Sequence, residues 1–386
     1  MIFLSVPIRI VFYTFLNGIS RNVYQVLFNL YLKNFGYDNS VIGKIMSFNL
    51  WGSAILAVFL GILSDKIGRK KMLLFVQPLG ALFAVMRLFP VNLTWLYATS
   101  FLFGGFNSAI MILTDVFLVE STHNKNRAKF FGMNFGVRML TGVFGNALGG
   151  FLGDVFGFRN VMIWSMILRV FAIVPILKIN EVVVLKEKIK MDEFQKKIFA
   201  FYIFSTASVG FGAGLFIHFG NVIFYDLFAL SATIIGFILA LAQFGTSIGS
   251  TFSHKLGKKF GAAKVLMLSN LAVPILILML SFVREPISFT TIYVARFTIM
   301  NMVNPIFNTL VLSYLPKSIL ASTAGIRSFA NNASRAFAAM LFSVLATSSS
   351  GYSIIFLISS IFYFINALVI YIFYKMMKDK DSEFYS

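Results

Sequence analysis

Apolar stretches of about 20 residues recur along the whole of this chain, and a helix rising 1.5 Å per residue needs about that length to cross a hydrocarbon layer of roughly 30 Å. Twelve can be drawn, at about 9–32, 41–63, 72–91, 94–119, 129–153, 158–178, 198–225, 231–253, 264–283, 287–313, 322–346 and 352–376. Lipid offers no partner to a backbone N–H or C=O, so each stretch is expected to be a helix that satisfies its own hydrogen bonds. Composition fits that solvent. The chain is 58% hydrophobic and 12% charged, whereas a soluble domain carries about 25% charged residues. A net charge of +19 could suggest nucleic acid. The basic residues, however, sit in short gaps between apolar stretches and not on a solvated face, so the expected partner is the lipid bilayer and not nucleic acid.

With no cysteine in the sequence, neither a disulfide framework nor a thiolate metal site is available. The amino terminus runs into the first stretch without a small-residue cleavage site, which predicts a retained helix. One long charged segment divides the spans six and six. The expected organisation is therefore an amino-terminal bundle over 1–180, an aqueous linker over 181–197 and a carboxy-terminal bundle over 198–386. The halves also read as a repeat: Ile42-Gly43 and Ile235-Gly236 each open a second span, and Gly132 and Gly325 lie in the fifth spans at the same separation. Lys and Arg collect in loops 2–3, 4–5 and 8–9, in the linker and in the tail, while Lys33, Arg87, Arg159 and Arg284 stand on the other side. By the positive-inside rule both termini are cytoplasmic, in a multi-pass protein of the cell membrane.

Loop 2–3 reads Gly61-Ile62-Leu63-Ser64-Asp65-Lys66-Ile67-Gly68-Arg69-Lys70-Lys71. This resembles the GxLxDxxGRKK signature of the major facilitator superfamily, at the position that family requires, and the span count and central linker extend the resemblance over nearly the whole chain. It implies an all-α membrane fold of twelve transmembrane helices in two six-helix bundles, working by alternating access. It also implies a cytoplasmic latch in which Asp65 and Arg69 continue to Glu120 and Arg127, with Gly61 and Gly68 allowing close helix approach and a tight turn. The plainer reading of the basic residues is orientation alone, and it suffices for Lys66 and Lys71. The second-half copy, His254 to Lys259, has His where the acid stands. The family's drug and proton antiporter patterns are altered, with Ser100 or Phe101 in place of an Arg in the fourth span, and with Thr141 and Asn146 in the fifth.

An arginine at mid-membrane costs about 3 kcal/mol on insertion scales, so each is a functional candidate. Arg21, Arg138, Arg169, Arg296 and Arg335 all lie near the middle of spans, and Asp115 is the only comparably internal acid. Most lie on polar stripes: Asn17, Arg21, Gln25 and Asn29 in the first span; Asn134, Arg138, Thr141 and Gly145 in the fifth; Gln243, Ser247 and Ser250 in the eighth; Asn301, Asn304 and Asn308 in the tenth; Arg327, Asn331 and Arg335 in the eleventh. Such stripes must face protein or a water-filled cavity. Spans 3, 6, 9 and 12, poorest in them, are the ones the resemblance puts outside the cavity. Arg169, on the sixth span, reads as a packing or snorkelling residue.

Guanidinium matches carboxylate or phosphate bidentately and keeps its charge. The expected solute is therefore an organic anion held between Arg21 and Arg138 of one half and Arg296 and Arg335 of the other, with Asn17, Gln25 and Asn304 assisting. The alternative for each arginine is a structural hydrogen bond between helices. Asp115 either pairs with Arg138 or exchanges a coupling proton, and His218 either titrates or is structural. The expected protein is a monomeric secondary transporter with no cofactor, moving a small anionic solute, with a proton or cation as coupling partner. Efflux or flipping of hydrophobic or amphiphilic compounds is the alternative, and sugar uptake is third. No His, Asp and Glu cluster stands at metal-ligand or catalytic spacing, which argues against a metal site or a membrane enzyme.

Overall fold

The computed structural model describes residues 5–122, 124–179, 192–315 and 320–378. Among these the chain is all-α, with thirteen helices: α1 (Val6–Asn34), α2 (Asn39–Ile67), α3 (Arg69–Met86), α4 (Leu93–Glu120), α5 (Asn124–Phe156), α6 (Phe158–Phe171), α7 (Glu193–Gly214), α8 (Gly220–Phe228), α9 (Ala232–Phe260), α10 (Ala262–Phe282), α11 (Pro286–Ser313), α12 (Leu320–Leu345) and α13 (Gly351–Lys378). The twelve expected spans are present, the seventh being broken between α7 and α8 by a 3-10 turn, Ile217–Phe219. Sequence periodicity ran through this break because the break is apolar. Its causes are local: Gly210, Gly212 and Gly214 weaken the end of α7, and Asn221 turns its side chain back to accept from the Val222 N–H at 3.0 Å. The sixth span also ends early, at Phe171, before a 3-10 turn begun by Pro175.

Among the described residues eight stretches are long and apolar enough to cross a membrane by length and composition alone. The other four, α1, α3, α11 and α12, are the ones interrupted by basic residues or polar stripes. Large apolar side chains stand exposed at helical spacing, as with Ile55, Phe59 and Ile62 on α2 and Phe237, Leu241, Phe244, Ile248 and Phe252 on α9. In water such stripes would be a liability; in a bilayer they are the lipid-facing surface.

Helix ends are set by short-range chemistry. Asp38 accepts from the Val41 N–H at 2.9 Å to begin α2, Asn92 accepts from Trp95 at 2.8 Å to begin α4, and Asp192 with Gln195 forms a capping box on α7. Before α11, hydrogen bonds from the Ser288 side chain and from the backbone N–H groups of Ser288 and Ile287 hold the Glu285 carboxyl below its ordinary value.

The described residues group into two compact units, one of residues 1–185 with 219–240 and one of 186–218 with 241–386. Of the expected linker over 181–197, residues 181–191 lie outside the described residues, and residues 193–197 already form the first turns of α7. In the first unit, Tyr13, Leu73, Val76, Ile110, Leu113 and Phe117 form the center of an apolar core. α2 and α4 touch backbone to backbone there, since a Cβ on Gly52 would overlap the Phe101 carbonyl and one on Gly104 the Asn49 carbonyl. In the second unit the core is smaller, around Ile198, Tyr202, Leu266, Val311, Leu315 and Phe373.

Candidate functional site

The signature loop is a tight α2–α3 junction. Gly68 has φ 105°, a conformation that suits only glycine, and serves as both the end of α2 and the start of α3. This turn aims Arg69 back over the end of α2. Arg69 pairs with Asp65, donates to the Ser64 hydroxyl and reaches Glu120 Oε1 at the end of α4 at 3.3 Å. The Arg69 and Glu120 side chains are 9% and 10% exposed, so this is a buried pair, whereas Asp65 at 35% meets solvent. Three expected latch residues are thus joined within the first unit. The side chain of Arg127 lies outside the described residues. Gly61 departs from expectation: among the described residues nothing lies within 4 Å of a Cβ placed there, so no close helix approach depends on it.

Deeper in the first unit the polar residues form two groups. Arg138 on α5 grips Asp115 on α4 with both terminal nitrogens, at 3.0 and 2.6 Å, and Asn134 lies 3.4 Å from the same carboxylate. Pairing, not isolation, is therefore the state of Asp115. In the second group Tyr13 donates to Gln77 Oε1 at 2.7 Å, and Gln77 gives its amide to the Arg169 carbonyl at 2.6 Å and lies 3.5 Å from Asn17 Oδ1. Arg169 does not snorkel. It is fully buried, donates to Asn107 Oδ1 at 2.8 Å, and its Nε and Nη1 have no hydrogen-bond partner among the described residues. Arg21 is half-buried, with Nη1 2.7 Å from the Met111 sulfur, while Gln25 one turn on is exposed. The stripe of α1 thus serves several environments, and its lower end holds Asn29 against Asn221 at 3.1 Å.

The second unit contains a cavity of about 360 Å³. Its polar lining includes Ser205, Asn270, Asn304, Arg327, Asn331 and Arg335. Arg327, Asn331 and Arg335 come four apart on α12 and so share one helix face. Arg335 donates from Nε to Asn331 Oδ1 at 3.3 Å, and its Nη1 lies 3.1 Å from His218 Nε2 in the broken seventh span. Arg327 stacks on the Tyr202 ring, 5.1 Å from its centroid, and Tyr202 is fixed by a 2.9 Å hydrogen bond to Asn308. Asn304 donates to Asn301, which donates to Thr246 at 3.1 Å. The polar residues of α10 and α13 belong here too, since Asn366 bridges Ser205 and Asn270 and both asparagines line the cavity. Spans 9 and 12 thus contribute to the lining of this cavity within the second unit.

Arg296 is elsewhere. It is 1% exposed, donates to the Tyr363 hydroxyl and is surrounded by the rings of Phe216, Phe297 and Tyr363 at 4.9 to 5.0 Å. It does not line the cavity. Sequence reading missed Gln77, Asn107, Tyr202 and Tyr363. The first two carried a usable signal, a lone amide in an apolar span; the tyrosines carried none, being two among 14.

Among the described residues no group of three or more metal-ligating side chains comes together. What the second unit offers chemically is two fixed guanidinium groups beside amides and hydroxyls. Its described carboxylates, Asp192, Glu193 and Glu285, all stand at helix starts and outside the spans.

Comparison with known proteins bears on what kind of machine this is. Over a 151-residue alignment the chain is 30% identical to the tetracycline resistance protein, class H, of Pasteurella multocida, which covers 38% of each protein. The chain thus spans well under half the length of this curated relative. Its fold matches a bacterial homolog of the human lysosomal transporter Spinster, in an inward-facing and occupied conformation, with a TM-score of 0.77 at 16% identity over 98% of both chains. It likewise matches a D-xylose-proton symporter, with a TM-score of 0.76 at 13% identity over 95% of this chain and 97% of the other. The Major Facilitator Superfamily model matches residues 10–225 and 198–384, nearly the whole sequence. With the signature turn at Gly68, the Asp65–Arg69–Glu120 cluster and twelve spans, this chain belongs to the Major Facilitator Superfamily.

Proposed function

We propose that the transported solute is an organic anion, taken up by the cavity of the second unit with Arg335 and Arg327 as its charged contacts. The observation that carries this reading is the pairing of two guanidinium groups on one face of α12 with a lining that contains no carboxylate among the described residues. A neutral solute has no need of two half-buried cations, and a cationic one is repelled by them. Asn304, Asn331 and Asn270 supply amides to the solute's polar rim, and Met300, Phe307 and Ile370 supply an apolar wall. Arg138 is engaged by Asp115, Arg296 by Tyr363, and Arg21 lies against Met111. In this reading their contribution is to structure and to the field, and Asn17 and Gln25 act at most through the first unit's surface.

The protein sits in the cell membrane with both termini cytoplasmic, as the distribution of lysine and arginine among the loops directs. Asp65, Arg69 and Glu120 then form a latch at the cytoplasmic ends of α2, α3 and α4, and the solute moves by alternating access. A second reading, export of amphiphilic compounds, is favoured by the similarity to a tetracycline resistance protein and by the apolar wall.

Equilibrium binding to the purified protein separates the two, with benzenesulfonate, neutral benzenesulfonamide and cationic benzyltrimethylammonium as probes of one size. The anion reading expects saturable binding of the sulfonate, weakened about 10- to 100-fold by Arg335→Gln, since a hydrogen bond to a charged group is worth about 1.5–3 kcal/mol. The melting curve should stay in place. Equal binding of all three probes, unmoved by Arg335→Gln and Arg327→Gln, supports amphiphile export and overturns the anion reading.

A further inference from the structure

We infer that the solute is a dianion with its two negative groups at opposite ends of an apolar body, one held by Arg327 and the other by Arg335. This rests on the anion reading of the cavity and narrows it to a shape. Arg327 and Arg335 stand eight residues apart on α12, which at 1.5 Å per residue sets their backbones about 12 Å apart. Their anchors draw the two guanidinium groups further from each other. α12 runs alongside α7 in the same direction, since a Cβ on Gly210 would stand 3.0 Å from the Asn331 carbonyl oxygen and one on Gly214 2.7 Å from the Arg335 Cα. Arg327 reaches back along α7 to the ring of Tyr202, eight residues before Gly210, while Arg335 reaches past the end of α7 to His218 in the 3-10 turn. A single carboxylate or sulfonate is too small to touch both.

Charge leads to the same solute. Both arginines line the cavity, and no carboxylate does so among the described residues. Arg327 lies on a ring and has no hydrogen-bond acceptor among the described residues, while Arg335 gives Nε to the Asn331 amide and Nη1 to an imidazole. A monoanion would leave one of the two without a counter-charge inside the span, where charge is costly; a dianion neutralises both.

The remaining lining describes the body that joins the two groups. Met300 and Phe307 from α11 and Ile370 from α13 form an apolar wall, and a volume of about 360 Å³ has room for about two aromatic rings. Asn331 stands one turn from each arginine, with its Oδ1 engaged by Arg335, so its NH2 is left to donate to either end of the solute.

The test uses the full-length purified protein and three rigid probes: the para,para′-disulfonate, the ortho,ortho′-disulfonate and the para-monosulfonate of biphenyl. Once one end is bound the second contact is intramolecular. The para,para′-disulfonate should therefore bind about 10- to 100-fold more tightly than the monosulfonate, the factor expected of one further hydrogen bond to a charged group. The ortho,ortho′ isomer carries the same charge with its two groups close together, and should gain no more than a few-fold. In Arg327→Gln and in Arg335→Gln the advantage of the para,para′ isomer over the monosulfonate should vanish, because either variant leaves a single charged contact. Equal affinity of the para,para′-disulfonate and the monosulfonate in the wild-type chain overturns the dianion and leaves the anion reading standing. Equal affinity of the two disulfonates does the same, as does an advantage that survives in both variants. Absence of saturable binding of all three probes overturns both.

Discussion

The two units handle positive charge differently. In the first, cations meet carboxylates: Arg69 with Asp65 and Glu120, Arg138 with Asp115, Lys33 with Asp226. In the second, they meet rings, amides and one imidazole: Arg296 among Phe216, Phe297 and Tyr363, Arg327 on Tyr202, Arg335 with Asn331 and His218. The first unit has its own ring-held cations, since Arg87 lies 3.6 Å from the Phe28 ring centroid and donates to Ser100. The difference is that, among the described residues, none of the second unit's deep cations is neutralised by an acid. A carboxylate cancels a charge, whereas a ring or an amide only solvates it, so the second unit retains positive potential that a solute can use.

The comparison breaks first at the buried Arg69–Glu120 pair. Arg69→Ala strands the Glu120 carboxylate, which is 10% exposed on its side chain, and removing one member of a buried pair costs about 3 kcal/mol or more. Tryptophan fluorescence reports on this directly, because Trp51, Trp95 and Trp164 all belong to the first unit. A large drop in the melting temperature by that signal is expected; an unchanged melt with slower turnover would make the cluster a gate with no structural share.

A smaller effect is expected at Arg296. Replacing it by Gln gives up a desolvated guanidinium among three rings and its bond to Tyr363, about 2 kcal/mol. The melt followed by circular dichroism should fall while benzenesulfonate affinity stays within a few-fold. A loss of affinity comparable to that of Arg335→Gln would return Arg296 to the site and remove the distinction between ring-held and solute-facing arginines.

The smallest effect belongs to Asp115→Asn. The carboxylate is 41% exposed and Arg138 25%, so water screens the pair and the loss should be near 1 kcal/mol. Transport measured from pH 6 to 8 should keep the wild-type profile, since Asp115 is engaged by both terminal nitrogens of Arg138. A flattened profile in Asp115→Asn would instead make this carboxylate the carrier of a coupling proton.

The sequence alone determined the solvent, the helices, their number and the family. The reason is that each of these is a local quantity: a run of apolar residues must become a helix in lipid, and the turn at Gly68 has a signature eleven residues long. It also named the internal arginines, because an arginine in an apolar run is visible without any fold. Which partner each arginine meets was left to the tertiary structure. Asp115 and Arg138 stand 23 positions apart and His218 and Arg335 stand 117 apart, and whether they touch depends on which helices are neighbours and how each is rotated about its axis. Spacing along one helix fixes a face; it does not fix what that face meets. That is why Arg138 and Arg335, alike in sequence as arginines on polar stripes, came to rest against a carboxylate in one unit and an imidazole in the other.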